Sequence, residues 1–78
     1  MTSTVLQYLE AFKKKGIVKD YYIVEINPYE KKFPERLEAH ITLADGRELN
    51  PKVNCRGSKV GFTEDCCKFM DYIGVLLK

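Results

Sequence analysis

Three cysteines (Cys55, Cys66 and Cys67) and one histidine (His40) are the side chains with the most chemistry open to them. Their number and spacing rule out more than they allow. An odd count with two adjacent members is not the even, spaced set of a disulfide framework. A Cys/His metal site draws its ligands in pairs such as C-x-x-C, and here there is no such pair and a single imidazole, so neither metal nor cofactor is expected. Cys66 reads as a small core side chain with Cys67 at the margin. His40 falls on the polar face of a strand, and no nucleophile is placed near it, so no catalytic residue and no enzyme activity are expected. None of the five glycines sits in a phosphate-cradling loop pattern.

What remains is charge. The stretch from Pro51 to Val60 carries Lys52, Arg56 and Lys59 and no acidic residue. Lys31 and Lys32 form a second basic pair, flanked by Glu30 and Glu35. Clustered cations of this kind bind phosphate through counterion release. The formal net charge of +2 is too small to demand a nucleic-acid partner, so the argument rests on local clusters. Lys13, Lys14 and Lys15 lie where the last turn of a helix accepts positive charge.

The elements that must position these groups follow from periodicity. Val5, Leu9 and Phe12 recur at helical spacing and predict a helix over Thr4 to Lys15, capped by Thr2, Ser3 or Thr4 and stopped at Gly16. Tyr21 to Ile26 predicts a strand, ended by Asn27-Pro28. Tyr29 to Glu35 is a charged connection. Leu37, Ala39, Ile41 and Leu43 alternate with Glu38, His40 and Thr42, the pattern of a strand with one wet face. Asp45-Gly46 marks a tight hairpin. The returning strand covers Arg47 to Leu49 and resumes over Lys52 to Cys55 after a break at Pro51. Arg56 to Lys59 reads as loop. Thr63, followed by Glu64 and Asp65, predicts a self-capped start to a second helix, whose apolar face carries Cys66, Phe69, Met70 and Ile73. The fold class expected is α+β, in the order α-β-β-β-α, with a three-stranded antiparallel sheet and both helices packed on one face.

Seventy-eight residues, 45% hydrophobic and 31% charged, make one domain over positions 1–78 with a modest core. No apolar run approaches the roughly 20 residues that span a bilayer. No basic segment followed by an apolar one opens the chain, so an intracellular setting is expected and no membrane partner. Tyr8, Tyr21, Tyr29, Phe33 and Tyr72 are more aromatics than so small a core can hide, and exposed aromatics favour protein interfaces.

This succession resembles the double-stranded-RNA-binding domain, in divergent form. Leu9 to Phe12 is similar to the end of that family's first helix, and Tyr22 to its first-strand tyrosine. Leu37 to Leu43 with Asp45-Gly46-Arg47-Glu48-Leu49 resembles the second strand, turn and third strand. Gly57-Ser58-Lys59 resembles the start of the lysine motif. The likeness covers most of the chain. It implies recognition of duplex RNA by shape, with Thr4 and Gln7 on the outer face of the first helix at a minor groove and Lys59 gripping phosphate, joined by Lys52, Arg56, Lys31 and Lys32. The second lysine of the motif is replaced by Val60, and the family's Gly-Pro-x-His loop by Tyr29 to Phe33. The alternative is a protein-association module of the same fold, as a homodimer or on another factor, or a small inhibitor.

Overall fold

The computed structural model describes residues 2–78, which form helix α1 (Thr2–Lys14), strands β1 (Val18–Ile26), β2 (Arg36–Leu43), β3 (Glu48–Leu49) and β4 (Lys52–Asn54), and helix α2 (Lys59–Leu76). The architecture is α+β. One antiparallel sheet has β2 at its centre, β1 on one side, and β3 with β4 on the other.

Strand β2 is divided by the period of two. Leu37, Ala39, Ile41 and Leu43 are buried, whereas Glu38, His40 and Thr42 turn to the opposite face. Against the buried side pack Val5 and Leu9 of α1 and Phe62, Cys66, Phe69 and Ile73 of α2. Both helices therefore cover one face of the sheet and leave the other open. Each fully buried Leu, Ile or Phe in this cluster contributes about 1.5–3 kcal/mol of transfer free energy.

Helix α1 stops at Gly16, whose φ of +81° suits glycine. The Gly16 N–H donates to the Lys13 carbonyl (3.0 Å) and the Ile17 N–H to the Phe12 carbonyl (3.1 Å), the paired closure of a Schellman end. The β2–β3 hairpin closes through Leu43 N–H to the Arg47 carbonyl (2.8 Å), with Gly46 at φ +92°.

Strands β3 and β4 are one strand in two pieces. The register is the same on both sides of the gap, with Thr42 opposite Glu48 and Glu38 opposite Lys52. The gap falls at Pro51, which has no N–H to give. Its carbonyl still accepts from Ala39 N–H (2.9 Å), and the Ala39 carbonyl is satisfied by Asn50 Nδ2 (2.9 Å) in place of the missing donor.

Two boundaries differ from expectation. Strand β1 begins three residues before Tyr21, because Val18 is buried against the core and a register shift between Val18 and Asp20 absorbs the extra residue. Helix α2 begins at Lys59 with Ser58 as its N-cap, five residues ahead of the expected start after Thr63. The Thr63 hydroxyl instead donates to the Lys59 carbonyl one turn back (2.8 Å).

Candidate nucleic-acid interface

The bend between β4 and α2 is where the expected phosphate contacts concentrate. Ser58 Oγ accepts from the Gly61 N–H (3.1 Å), which starts the helix and points its first turn at the bend. Arg56, just before the cap, lies back over that turn. Its backbone N–H donates to Asp65 Oδ2 (2.9 Å). Its guanidinium reaches Asp65 Oδ1 (3.2 Å), Glu64 Oε2 (2.8 Å) and the Gly61 carbonyl (3.3 Å).

This clasp explains Gly61. A Cβ on residue 61 would lie 2.8 Å from both Arg56 Cβ and Ser58 Oγ, so only glycine leaves room for the arginine to cross. Asp65 is the one charged residue among the described residues that is buried. Burial alone would raise its pKa, but the Arg56 N–H and guanidinium outweigh that and hold the carboxyl below its usual range. The bond to Glu64, with that to Asp65, pushes the Arg56 pKa up.

The other expected contacts are dispersed. Thr4 and Gln7 are exposed on α1, one turn apart. Lys59 is exposed at the start of α2, and among the described residues no carboxylate lies within ion-pair distance of it, of Lys32 or of Lys52. Lys31 pairs with Glu35 at 3.3 Å. Lys32 Nζ sits 5.8 Å from the Phe33 ring, and Phe33 packs on Phe62 of α2 with centroids 5.4 Å apart. That contact draws the β1–β2 connection, with Lys31 and Lys32, toward the start of α2 and Lys59. Lys52 does not join them. Its neighbour Val53 packs on the core, so Lys52 projects from the open face of the sheet, opposite Glu38.

The connection itself is held by Asn27, whose side chain donates to the Lys31 carbonyl (2.7 Å) and accepts from the Lys31 N–H (2.9 Å). Closing this turn places Glu30 at φ +51°, a conformation that costs a non-glycine residue roughly 1–2 kcal/mol.

The thiols are unpaired: Cys55 half-buried, Cys66 buried and Cys67 exposed. Burial, with Cys66 nearby, pushes the Cys55 pKa up to about 11, which keeps it a thiol at neutral pH. Of the aromatics, Tyr29 and Tyr72 are exposed. Tyr8, Tyr21 and Phe33 pack against the core. Tyr22 is 58% exposed on the open face, whereas its neighbour Tyr21 turns to α1 and donates to Glu10 Oε2 (2.6 Å). Gly74 is used within the fold, because the Tyr8 hydroxyl of α1 occupies the space a Cβ would take.

Sequence reasoning missed the Arg56–Asp65 clasp and the role of Gly61. A signal was present, since Ser58 stands three residues before Gly61 and Phe62 already begins the apolar stripe, which together mark the earlier helix start. No family model matches the chain, and no curated protein or solved structure gives a significant match. No described helix is long and apolar enough to cross a membrane, and no group of three or more metal-ligating side chains is found among the described residues.

Proposed function

We propose that this chain is a non-enzymatic binding module, a divergent relative of the double-stranded-RNA-binding domain, that works chiefly by associating with protein inside the cell. The observation that carries the reading is the Arg56 clasp. The guanidinium is committed through Nε and Nη2 to Asp65, Glu64 and the Gly61 carbonyl, and its single positive charge is outweighed by the two carboxylates it bridges. An RNA phosphate would have to compete with two carboxylates already in place and would meet their repulsion. At the position of the second lysine of the motif, Val60 is 69% exposed, a side chain suited to a protein surface. The free thiols fit a reducing compartment.

The test is a titration of labelled duplex RNA of about 16 base pairs at two salt concentrations, beside a sizing measurement. Weak binding, unchanged by Arg56→Ala, with self-association or a defined protein complex, is the expected result. Tight binding that falls steeply with salt and is lost in Lys59→Ala overturns it.

One observation favours duplex RNA as the second reading. The Phe33–Phe62 contact gathers Lys31, Lys32 and Lys59 at one end of the molecule, while Thr4 and Gln7 stay open on α1. On that reading, Lys32→Ala and Lys59→Ala each weaken binding regardless of base sequence, and Arg56→Ala acts only through stability.

A further inference from the structure

The sheet face turned away from the helices carries an organised centre. Tyr22 stacks on His40 with ring centroids 4.5 Å apart and planes 10° from parallel. Asn50 Nδ2, anchored on the Ala39 carbonyl, lies 3.2 Å from His40 Nδ1 and fixes that ring from the other side. A recess of about 330 Å³ opens beside them, lined in part by Thr42 and Glu48.

Charge is arranged about this centre with a direction. The cross-strand row on one side contains Asp20, Thr42 and Glu48. The row on the other side contains Val24, Glu38 and Lys52, with Arg36 beyond it bonded to Glu38 (3.5 Å). One end of the face is acidic and the other carries the cations. A surface with an aromatic middle and opposite charge at its two ends complements itself when turned end for end.

We infer that a second copy of this chain docks on this face, sheet against sheet, about a two-fold axis that crosses the strands at the Tyr22–His40–Asn50 row. The inference rests on the protein-association reading and names its partner. In this arrangement Tyr22 of one copy meets Tyr22 of the other. Glu48 and Lys52 stand two residues either side of Asn50, so Glu48 of each copy faces Lys52 of its mate. Side chains from the two faces interleave across the usual sheet spacing of about 10 Å. Edge-to-edge pairing is the weaker route. The Tyr21 N–H of β1 already donates to the Asp20 carboxylate (2.9 Å), and the opposite edge is interrupted at Pro51. Nucleic acid is a poor occupant, because Asp20 and Glu48 would repel it. The face is small, which makes the dimer a concentration-dependent one.

Sedimentation velocity of the full chain, from low to high micromolar concentration, tests the proposal. The wild type should show a monomer–dimer equilibrium, and Tyr22→Ala should weaken it at least about tenfold. Glu48→Lys alone and Lys52→Glu alone should each stay monomeric, because each sets like charges against one another twice. Mixed together, these two variants should form a heterodimer, since both contacts are then between opposite charges. The rescue on mixing guards against misfolding as the cause of dissociation. A wild type that is monomeric throughout overturns the homodimer. If that monomer also binds labelled duplex RNA tightly with steep salt dependence, the association reading falls with it. A dimer that ignores both charge reversals overturns the sheet face while leaving protein association standing.

Discussion

Two charged connections in this molecule share a design and differ in what closes them. The β1–β2 connection is tied by the neutral amide of Asn27 on Lys31, and its ion pair, Lys31–Glu35, lies on the surface with both side chains exposed. The bend before α2 is tied by a charged carboxylate, Asp65, held almost out of water against Arg56. Surface pairs are worth little because water and salt screen them. A carboxylate that accepts a backbone N–H and a guanidinium at a buried site holds its place much more firmly. Basic residues in a connection thus have two fates, and the identity of the residue does not say which.

The largest break in this comparison should come from Asp65→Ala, which leaves the Arg56 N–H unpartnered at the bend. It should cost on the order of 2–3 kcal/mol in chemical denaturation, whereas Asp65→Asn, able to keep one acceptor, should cost about half of that. The pH dependence follows the same residue. The folded Asp65 has the lower pKa, so on acidification the unfolded chain takes up the proton first. The clasp's contribution is complete above the unfolded value of about 4 and is lost as pH falls through the folded one. Asp65→Asn should flatten this part of the stability profile. A profile of unchanged slope would show that the charge of Asp65 contributes no stability to the clasp.

Gly61→Ala sharpens the contrast next. Alanine in a helix normally gains up to about 1 kcal/mol over glycine. Here it should lose about 1–2 kcal/mol, because the new methyl meets Arg56 and Ser58. In the Arg56→Ala background the loss should shrink, and a thermodynamic cycle of the two substitutions measures the coupling.

At the other connection the effects should be smaller. Asn27→Ala should cost about 1 kcal/mol through the two lost bonds to Lys31. Lys31→Ala should change stability by no more than about 0.5 kcal/mol. A loss from Lys31→Ala that matches Asp65→Ala would erase the distinction between the two connections.

Much of the fold was legible because its signals are local. The alternation from Leu37 to Leu43 and the helical spacing of Val5, Leu9 and Phe12 report which side chains share a face, and the buried positions follow them. Gly16 and Gly46, both at positive φ, mark turns that the sequence announces. The start of α2 was misjudged because Thr63 with Glu64 and Asp65 imitates a capped helix. The two carboxylates serve Arg56 instead, from the second turn of a helix already begun. The candidate site was legible as a list of cations but not as a surface. Lys52 and Lys59 are seven residues apart in the chain, yet one projects from the open face of the sheet and the other stands at the start of a helix on the covered face.

By itself the sequence determined the order of the elements, the faces they bury and the turns at Gly16 and Gly46, since each depends on spacings of two to four residues. The tertiary structure alone decided that Arg56 is spent on Asp65, that Asn50 replaces the donor Pro51 lacks, and that Tyr22 rather than Tyr21 faces outward. Those outcomes depend on where one element docks against another, and the bonds a polar side chain makes there are set by the neighbours that docking delivers, whatever their distance along the chain.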